Sequence, residues 1–421
     1  HYSSMTRTIA ILIGGFGLLL AGSGLLGTLL GVRATLMSFG SLEIGLVMAG
    51  YYAGYIAGTR LAPQVIRDVG HIRTFAALAA VAAAVTLAYG LLLAPLPWLL
   101  LRFLNGLAIS ALYTVVESWL NEQSTGPARG RVFSIYMTST LLGLGAGQLL
   151  LPMADPEGLS LFALAAILIS VGLVPIAVTR VTEPEIRPSV KVQLSRLFRV
   201  SPLGVTGVFG AGLISGVFWG MTPVFAQTLD LHETQIAILM SATILGGGLL
   251  QWPIGHLSDS FDRRVVLIMV SFATALGCLA WAYIVIKGVP GLVVSSAVFG
   301  GLMFSLYGIS VAHTNDHISH DEVLEATRGL LLVFGVGALL GPLLAGVAME
   351  LAGPPGLPAV SAVSAILLAG FGIYRTTRRA APEPAEQGDY VPMVRTTPVA
   401  LEMHPETEEE QLGEPNPDRN S

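Results

Sequence analysis

Apolar residues run along this chain in long unbroken stretches, and twelve of them approach or exceed the roughly 20 residues needed to cross a bilayer. They lie at residues 8–31, 44–62, 74–95, 97–120, 131–153, 159–180, 203–227, 235–257, 264–286, 290–312, 327–350 and 357–375. Backbone amides in hydrocarbon must find partners within their own segment, so each stretch predicts a helix and the fold class is an all-α membrane protein. Polar punctuation divides the helices six and six. The expected organisation is a first bundle over residues 5–180, a cytoplasmic linker over 181–202, a second bundle over 203–375 and an acidic tail over 376–421. In the linker, Val190, Leu194, Leu197 and Phe198 share one helical face opposite Lys191, Arg196 and Arg199. That pattern suits a helix lying on a membrane surface, or an ordinary connection between bundles. The tail is rich in Pro, Glu, Thr and Asn without periodicity, so disorder is expected there. Residues 1–4, ahead of Met5, read as an expression remnant and are set aside.

The second half of the pattern repeats the first. Gly106, Tyr113 and Asn121-Glu122 near the end of the fourth stretch reappear at the same spacing as Gly300, Tyr307 and Asn315-Asp316 in the tenth. Gly24 matches Gly216, Met48 matches Met240, and Arg129-Gly130 meets Arg328-Gly329. Two six-helix bundles related by a pseudo-two-fold axis along the membrane normal follow, an architecture of membrane transporters.

Composition agrees with a membrane solvent. The chain is 53% hydrophobic and 12% charged, with a mean hydropathy of +0.71, against about 25% charged residues in a soluble domain. With the N-terminus in the cytoplasm, the basic residues of the loops fall on that side together with Arg7 and the tail, leaving Arg33, Arg102 and Lys287 as the exceptions. The positive-inside rule therefore places both termini in the cytoplasm. The single cysteine, Cys278, excludes an intramolecular disulfide and a cysteine-based metal site.

Ionisable residues within hydrocarbon are costly, about 2.5–3.5 kcal/mol on insertion scales, and so mark candidate sites. Arg102, Gly106, Tyr113 and Glu117 fall within a stripe of about 60° on one helix, able to line a water-filled cavity. Glu117 could carry a proton if desolvation raises its pKa; it could instead pair with Arg129 or Arg131 near the helix end. Arg102 could attract an anionic solute or gate the carboxylate, and both Arg102 and Arg33 could instead snorkel to the outer interface. Tyr113, Gln148, Trp219, Gln227, Gln251, Trp252 and Tyr307, with Phe225, Tyr51, Tyr52 and Tyr55, would complete a mostly apolar pocket for a small amphipathic ligand. His313, His317 and His320, near Asp316 and Asp321, read as a solvated loop in preference to a metal site. No nucleophile–base constellation or phosphate-binding glycine loop is present, and neither enzymatic activity, a cofactor nor a nucleic-acid partner is expected.

Several motifs resemble the major facilitator superfamily. Gly255 to Arg264 is similar to its loop signature of Gly, three residues, Asp and a basic pair; residues 64–73 keep Asp68 and Arg73 but lack the glycine. Arg102-Phe103-Leu104-Asn105-Gly106 is similar to the arginine signature of proton-coupled members. Glu117-Ser118-Trp119-Leu120-Asn121, Gly147-Gln148-Leu149-Leu150, Phe218-Trp219-Gly220 and Gln251-Trp252-Pro253-Ile254-Gly255 resemble a bacterial branch, the YcaD-like transporters. The drug-exporter signature is absent from the fifth span, where Gly143, Gly147 and Gln148 stand, although Gly337, Gly341-Pro342 and Gly346 approach it in the eleventh.

The resemblance implies alternating access: two bundles rocking about a central cavity. Asp68 with Arg73, and Asp259 with Arg264, would act as cytoplasmic latches; Arg263 is counted with the gate, and Asn121-Glu122 and Asn315-Asp316 are its symmetric pieces. The expectation is a monomeric, proton-coupled secondary transporter of a small organic solute in the bacterial inner membrane, in contact with its lipids. Multidrug/proton export and a transport-inactive solute sensor are the alternatives.

Overall fold

The computed structural model describes residues 2–124, 128–179, 193–380, 382–393 and 400–403. Twelve long helices occupy the twelve apolar stretches: α1 (Tyr2–Leu36), α2 (Ser41–Val69), α3 (His71–Leu91), α4 (Pro95–Gln123), α5 (Ala128–Gln148), α6 (Ser160–Val178), α8 (Pro202–Thr228), α9 (Glu233–Ser260), α10 (Arg263–Lys287), α11 (Leu292–Asn315), α12 (Val323–Ala352) and α13 (Gly356–Thr376). A short α7 (Leu194–Val200) precedes the second set. Eleven of the long helices are apolar enough to cross a membrane by length and composition. The exception, α2, carries Glu43, Arg60, Arg67 and Asp68, and packs inside the protein between α4 and α12, where less apolarity is required. Leu276 (69% exposed), Val178 (75%) and Leu351 (83%) belong to the outward apolar girdle, which suits lipid.

Packing within the halves is symmetric. In the first, α1 packs on α5 and α6, α2 on α4, and α3 on α4 and α6; in the second, α8 packs on α12 and α13, α9 on α11, and α10 on α11 and α13. Small residues set the register. Gly106 lies against the Tyr51 carbonyl and its repeat Gly300 against that of Thr243; Gly147 meets the Ala21 carbonyl and Gly341 that of Leu213. A Cβ at any of the four would overlap backbone, so the helices approach as closely as small-residue interfaces allow in lipid.

One end of the molecule carries α7, the tail and the turns after α2, α4, α9 and α11 (the tail end); the other is the far end. At the far end the bundles touch directly: Gly31 on Pro223, Gly45 on Pro342 and Gly346, and the Leu42 amide 3.4 Å from Glu350 Oε2. At the tail end, residues 400–403 lie against α4 and α5 of one bundle and α12 of the other.

Two expectations change here. The tail was read as disordered throughout, yet Tyr390, Met393, Ala400 and Met403 are each at most 3% exposed. These apolar residues, widely spaced in an acidic stretch, have no local periodicity and find their partners on the bundles. In the linker, residues 180–192, including Val190 and Lys191, lie outside the described residues. Of the expected apolar face, Leu197 is buried while Leu194 and Phe198 are exposed, and Arg196 forms an ion pair with Glu322 ahead of α12.

Candidate functional site

The central cavity lies between the bundles and is lined by Ser23, Gly24, Gly27 and Thr28 of α1, Met48, Tyr51 and Tyr52 of α2, Arg102 of α4, Leu144 of α5, and Trp219 and Gly220 of α8. Its volume is about 30 Å³, enough for a water or two in this conformation. Glycines on α1 and α8 leave the room, and α2 presents successive tyrosines to it because neighbouring residues on a helix lie 100° apart.

Arg102 is 7% exposed. Its guanidinium lies 4.4 Å from the Tyr51 ring centroid, and Nη1 donates to Asn105 Oδ1 at 3.0 Å. Among the described residues no carboxylate stands within salt-bridge reach of it. Its repeat position in the second half, Ser296, accepts a hydrogen bond from Trp281 Nε1 at 3.2 Å instead.

Glu117, fully buried, accepts a 2.6 Å hydrogen bond at Oε1 from Tyr136 of α5. The expected pairing with Arg129 or Arg131 gives way to this one: both arginines stand in the first turn of α5, Tyr136 lies more than a turn further along it, and Arg129 Nε donates to the Ser124 carbonyl. Tyr136 was missed by sequence reasoning. Gly143 and Gly147 of α5 pack on α1 as Gly337 and Gly341 of α12 pack on α8, so the repeat of Tyr136 is Leu330, and the expected match of Arg129-Gly130 with Arg328-Gly329 is out of register by five residues. Aromatic contacts continue from Tyr136, Phe16 stacking on it and meeting Tyr113 edge-on, with Tyr55 beyond.

Of the other expected pocket residues, Tyr51, Tyr52 and Trp219 line the cavity, the Trp219 ring stacked on Phe304. Gln148 braces the first bundle: it accepts from Thr28 Oγ1 and donates to the Gly24 carbonyl at 3.0 Å. Arg33 neither faces the cavity nor snorkels; Nη1 donates to the Pro156 and Gly158 carbonyls at 3.0 and 3.3 Å, holding the loop before α6. Trp252 is 57% exposed and packs on His256, outside the cavity, since its position on α9 faces outward. Gln251 and Tyr307 are buried in the second bundle, Tyr307 against Phe334, while Gln227 is half-buried near the far end of α8.

The gate residues divide by half. Asp68, Arg73 and Glu122 are exposed and pair with none of the described residues; Asn121 is half-buried. In the second half Arg263, 2% exposed, donates to Asp259 and Asp316, each at 2.7 Å, and Arg264 pairs with Asp262 at 2.9 Å. The expected Asp259–Arg264 latch is therefore an Asp259–Arg263–Asp316 cluster tying α9, α10 and the end of α11, with half-buried Asn315 beside it. Burial raises the Asp316 carboxyl above its ordinary range, although Arg263 and the Gly388 amide pull it back. His313 is buried rather than solvated, and its carbonyl meets His317 Nδ1 at 2.8 Å. Among the described residues no group of three or more His, Cys, Asp or Glu could hold a metal.

Symmetric six-helix bundles around a central cavity are matched by the family model for the Major Facilitator Superfamily over residues 9–205 and 204–406. The chain belongs to this superfamily. Among its relatives are the MFS-type transporter YcaD of Escherichia coli O17:K52:H18 (strain UMN026), 29% identical over 81% of this chain and 88% of that one, and YcaD of Shigella flexneri serotype 5b, 29% identical over 83% and 90%. Solved structures of the same fold include the nucleoside transporter NupG, with a TM-score of 0.70 at 16% identity over 89% of this chain and 100% of the other. A bacterial homologue of the human lysosomal transporter Spinster, inward-facing and occupied, gives a TM-score of 0.66 at 15% identity over 91% and 98%. This superfamily member is thus a multi-pass membrane protein of a transporter family, which is not an enzyme class.

Proposed function

We propose that this superfamily member is a secondary active transporter of the bacterial inner membrane, with its tail end in the cytoplasm, that moves a small organic anion by alternating access coupled to protons. Arg102 is the observation that carries the reading. A buried guanidinium is expensive to leave without a counter-charge, and this one faces the inter-bundle cavity with only neutral partners among the described residues. A carboxylate or phosphate on the solute would supply the missing charge through paired hydrogen bonds, and Tyr51, Tyr52, Met48 and Trp219 would cover its apolar part.

Glu117 supports the proton role. It lies 15 residues beyond Arg102 on α4, roughly 22 Å along the axis, so coupling would run through the bundle conformation rather than through contact. Protonation removes a buried charge and changes what Tyr136 can offer it, biasing one packing of α4 against α5.

The test is a thermal-shift screen of small carboxylates and organic phosphates at two pH values, followed by proteoliposome uptake of any stabilising compound. Arg102→Gln should raise the concentration needed for stabilisation roughly tenfold or more, and Glu117→Gln should abolish uptake driven by a pH gradient. Stabilisation of Arg102→Gln at an unchanged concentration sinks the anion site; gradient-driven uptake that survives Glu117→Gln sinks the proton role.

A further inference from the structure

The second-half loop signature is occupied by the chain's own tail. Three backbone bonds define the contact: the Gly388 amide donates to Asp316 Oδ1 at 3.0 Å, the Gly388 carbonyl accepts from Arg263 Nη2 at 2.6 Å, and the Tyr390 amide donates to Asp259 Oδ1 at 2.9 Å. The Tyr390 ring fills the space left by two missing side chains, at Gly255 of α9 and Gly308 of α11, where a Cβ would overlap it. Its edge faces His256, and the ring is 3% exposed. Flanking bonds extend the attachment: Gln387 Nε2 donates to the Phe261 carbonyl at 3.0 Å, and Arg264 Nη1 to that of Arg379 at 2.5 Å.

Further along, Ala400 and Met403 are fully buried, and residues 400–403 touch α4 and α5 of the first bundle and α12 of the second. The far end is closed by direct contacts between bundles, so an exchange of open ends requires the tail ends to approach. A segment lodged between them opposes that step.

We propose that the cleft formed by Gly255, Asp259, Arg263, Gly308 and Asp316 is a docking site for this chain's own Gly388–Tyr390 segment, and that the docked tail wedges the tail end apart and restrains the transport cycle. The fit is specific. A two-residue spacing of backbone donors matches two carboxylates bridged by one arginine, and one aromatic ring matches one double-glycine notch. The acidic composition that leaves such a stretch disordered in isolation is overcome by a few apolar anchors whose burial removes their surface from water. Among the described residues the first half forms no equivalent cleft, since its stretch lacks the signature glycine and Asp68 and Arg73 are exposed.

The proposal is independent of the solute, so its test needs none. Hydrogen exchange on the full chain in lipid nanodiscs should show slow amides at 388–390 and 400–403. Tyr390→Ala should speed their exchange roughly tenfold or more. Tyr390→Phe should leave it slow, because the Tyr390 hydroxyl has no hydrogen-bond partner among the described residues. In a Cys278→Ala background, spin labels at the exposed positions Arg131→Cys on α5 and Leu257→Cys on α9 report the tail-end separation. Ending the chain at Gln387 should add a population at shorter distance, and Tyr390→Ala should add the same one. Fast exchange at 388–390 in the unsubstituted protein overturns the docking site. A distance distribution unchanged by removing the tail overturns the wedge, even where the amides are slow.

Discussion

The two halves share one backbone plan and carry different chemistry on it. Where the first bundle places Arg102 and Glu117 on α4, the second places Ser296 and Val311 on α11; where Tyr136 answers Glu117, Leu330 occupies the repeat position. The Thr28–Gln148 contact between α1 and α5 is matched by Gly220 packed on Pro342 between α8 and α12. At the tail end the asymmetry reverses, since the ion-pair cluster and its contact with Gly388 and Tyr390 belong to the second bundle. Close packing is therefore what the repeat preserves, while the buried charges of the spans, Arg102 and Glu117, stand in one half and the Asp259–Arg263–Asp316 cluster in the other. A rocking transporter can use that division, because one charged bundle moving against a more neutral one needs the cost of buried charge to be met only once.

The comparison is tested most severely where the halves agree. Gly106→Leu and Gly300→Leu should each destabilise by about 3 kcal/mol or more, near the upper end of overpacking effects because backbone cannot yield. Reversible unfolding in mixed micelles measures this, and a tolerated change in only one half would break the structural equivalence. Next, the halves should part at Arg102. Arg102→Gln should weaken the binding of a stabilising anion roughly tenfold to a hundredfold, the worth of a charged hydrogen bond, whereas Ser296→Ala should leave binding unchanged and lower stability by about 1 kcal/mol through the Trp281 indole.

A smaller effect sharpens the contrast further. Glu117→Val alone leaves the Tyr136 hydroxyl without its acceptor and should cost about 1–3 kcal/mol. Adding Tyr136→Leu, which writes the second half's pair into the first, should recover most of that loss while gradient-driven uptake stays absent; a double-mutant cycle gives the coupling. The smallest change is at the α10 N-cap, where Asp262 Oδ1 accepts from the Arg264 amide at 3.0 Å and α3 has only Gly70 in the equivalent turn. Asp262→Ala should cost about 1 kcal/mol. Burial disfavours the Asp262 carboxylate, but Arg264 outweighs it and holds the group below its ordinary range. A depressed acid stabilises the fold above its unfolded pKa of about 3.9, and that part is lost as pH falls through the lower folded value. Acid unfolding of Asp262→Ala should accordingly lack this component.

Much of the fold was legible before any coordinate. Twelve apolar runs gave twelve helices, and matched glycines such as Gly106 and Gly300 gave the repeat, because both are local properties: a helix in lipid satisfies its own backbone, and a glycine permits close approach whichever helix arrives. Arg102 was identifiable for the same reason, as a charge in an apolar run whose burial demands an explanation.

Chain order could not say who answers each polar group. Arg33 and Pro156 are 123 residues apart, Gln148 and Gly24 are 124, and Arg263 and Gly388 are 125. Nothing in the intervening sequence signals which will meet. The tail shows the limit most clearly: composition predicted disorder, and only a cleft assembled from α9, α10 and α11 offers the two carboxylates, the arginine and the double-glycine notch that fix it. Sequence determined the helices and their duplication because those depend on neighbours in the chain. Tertiary structure decided the pairings, the cavity lining and the docked tail, because those depend on which side chains packing brings together from opposite ends of it.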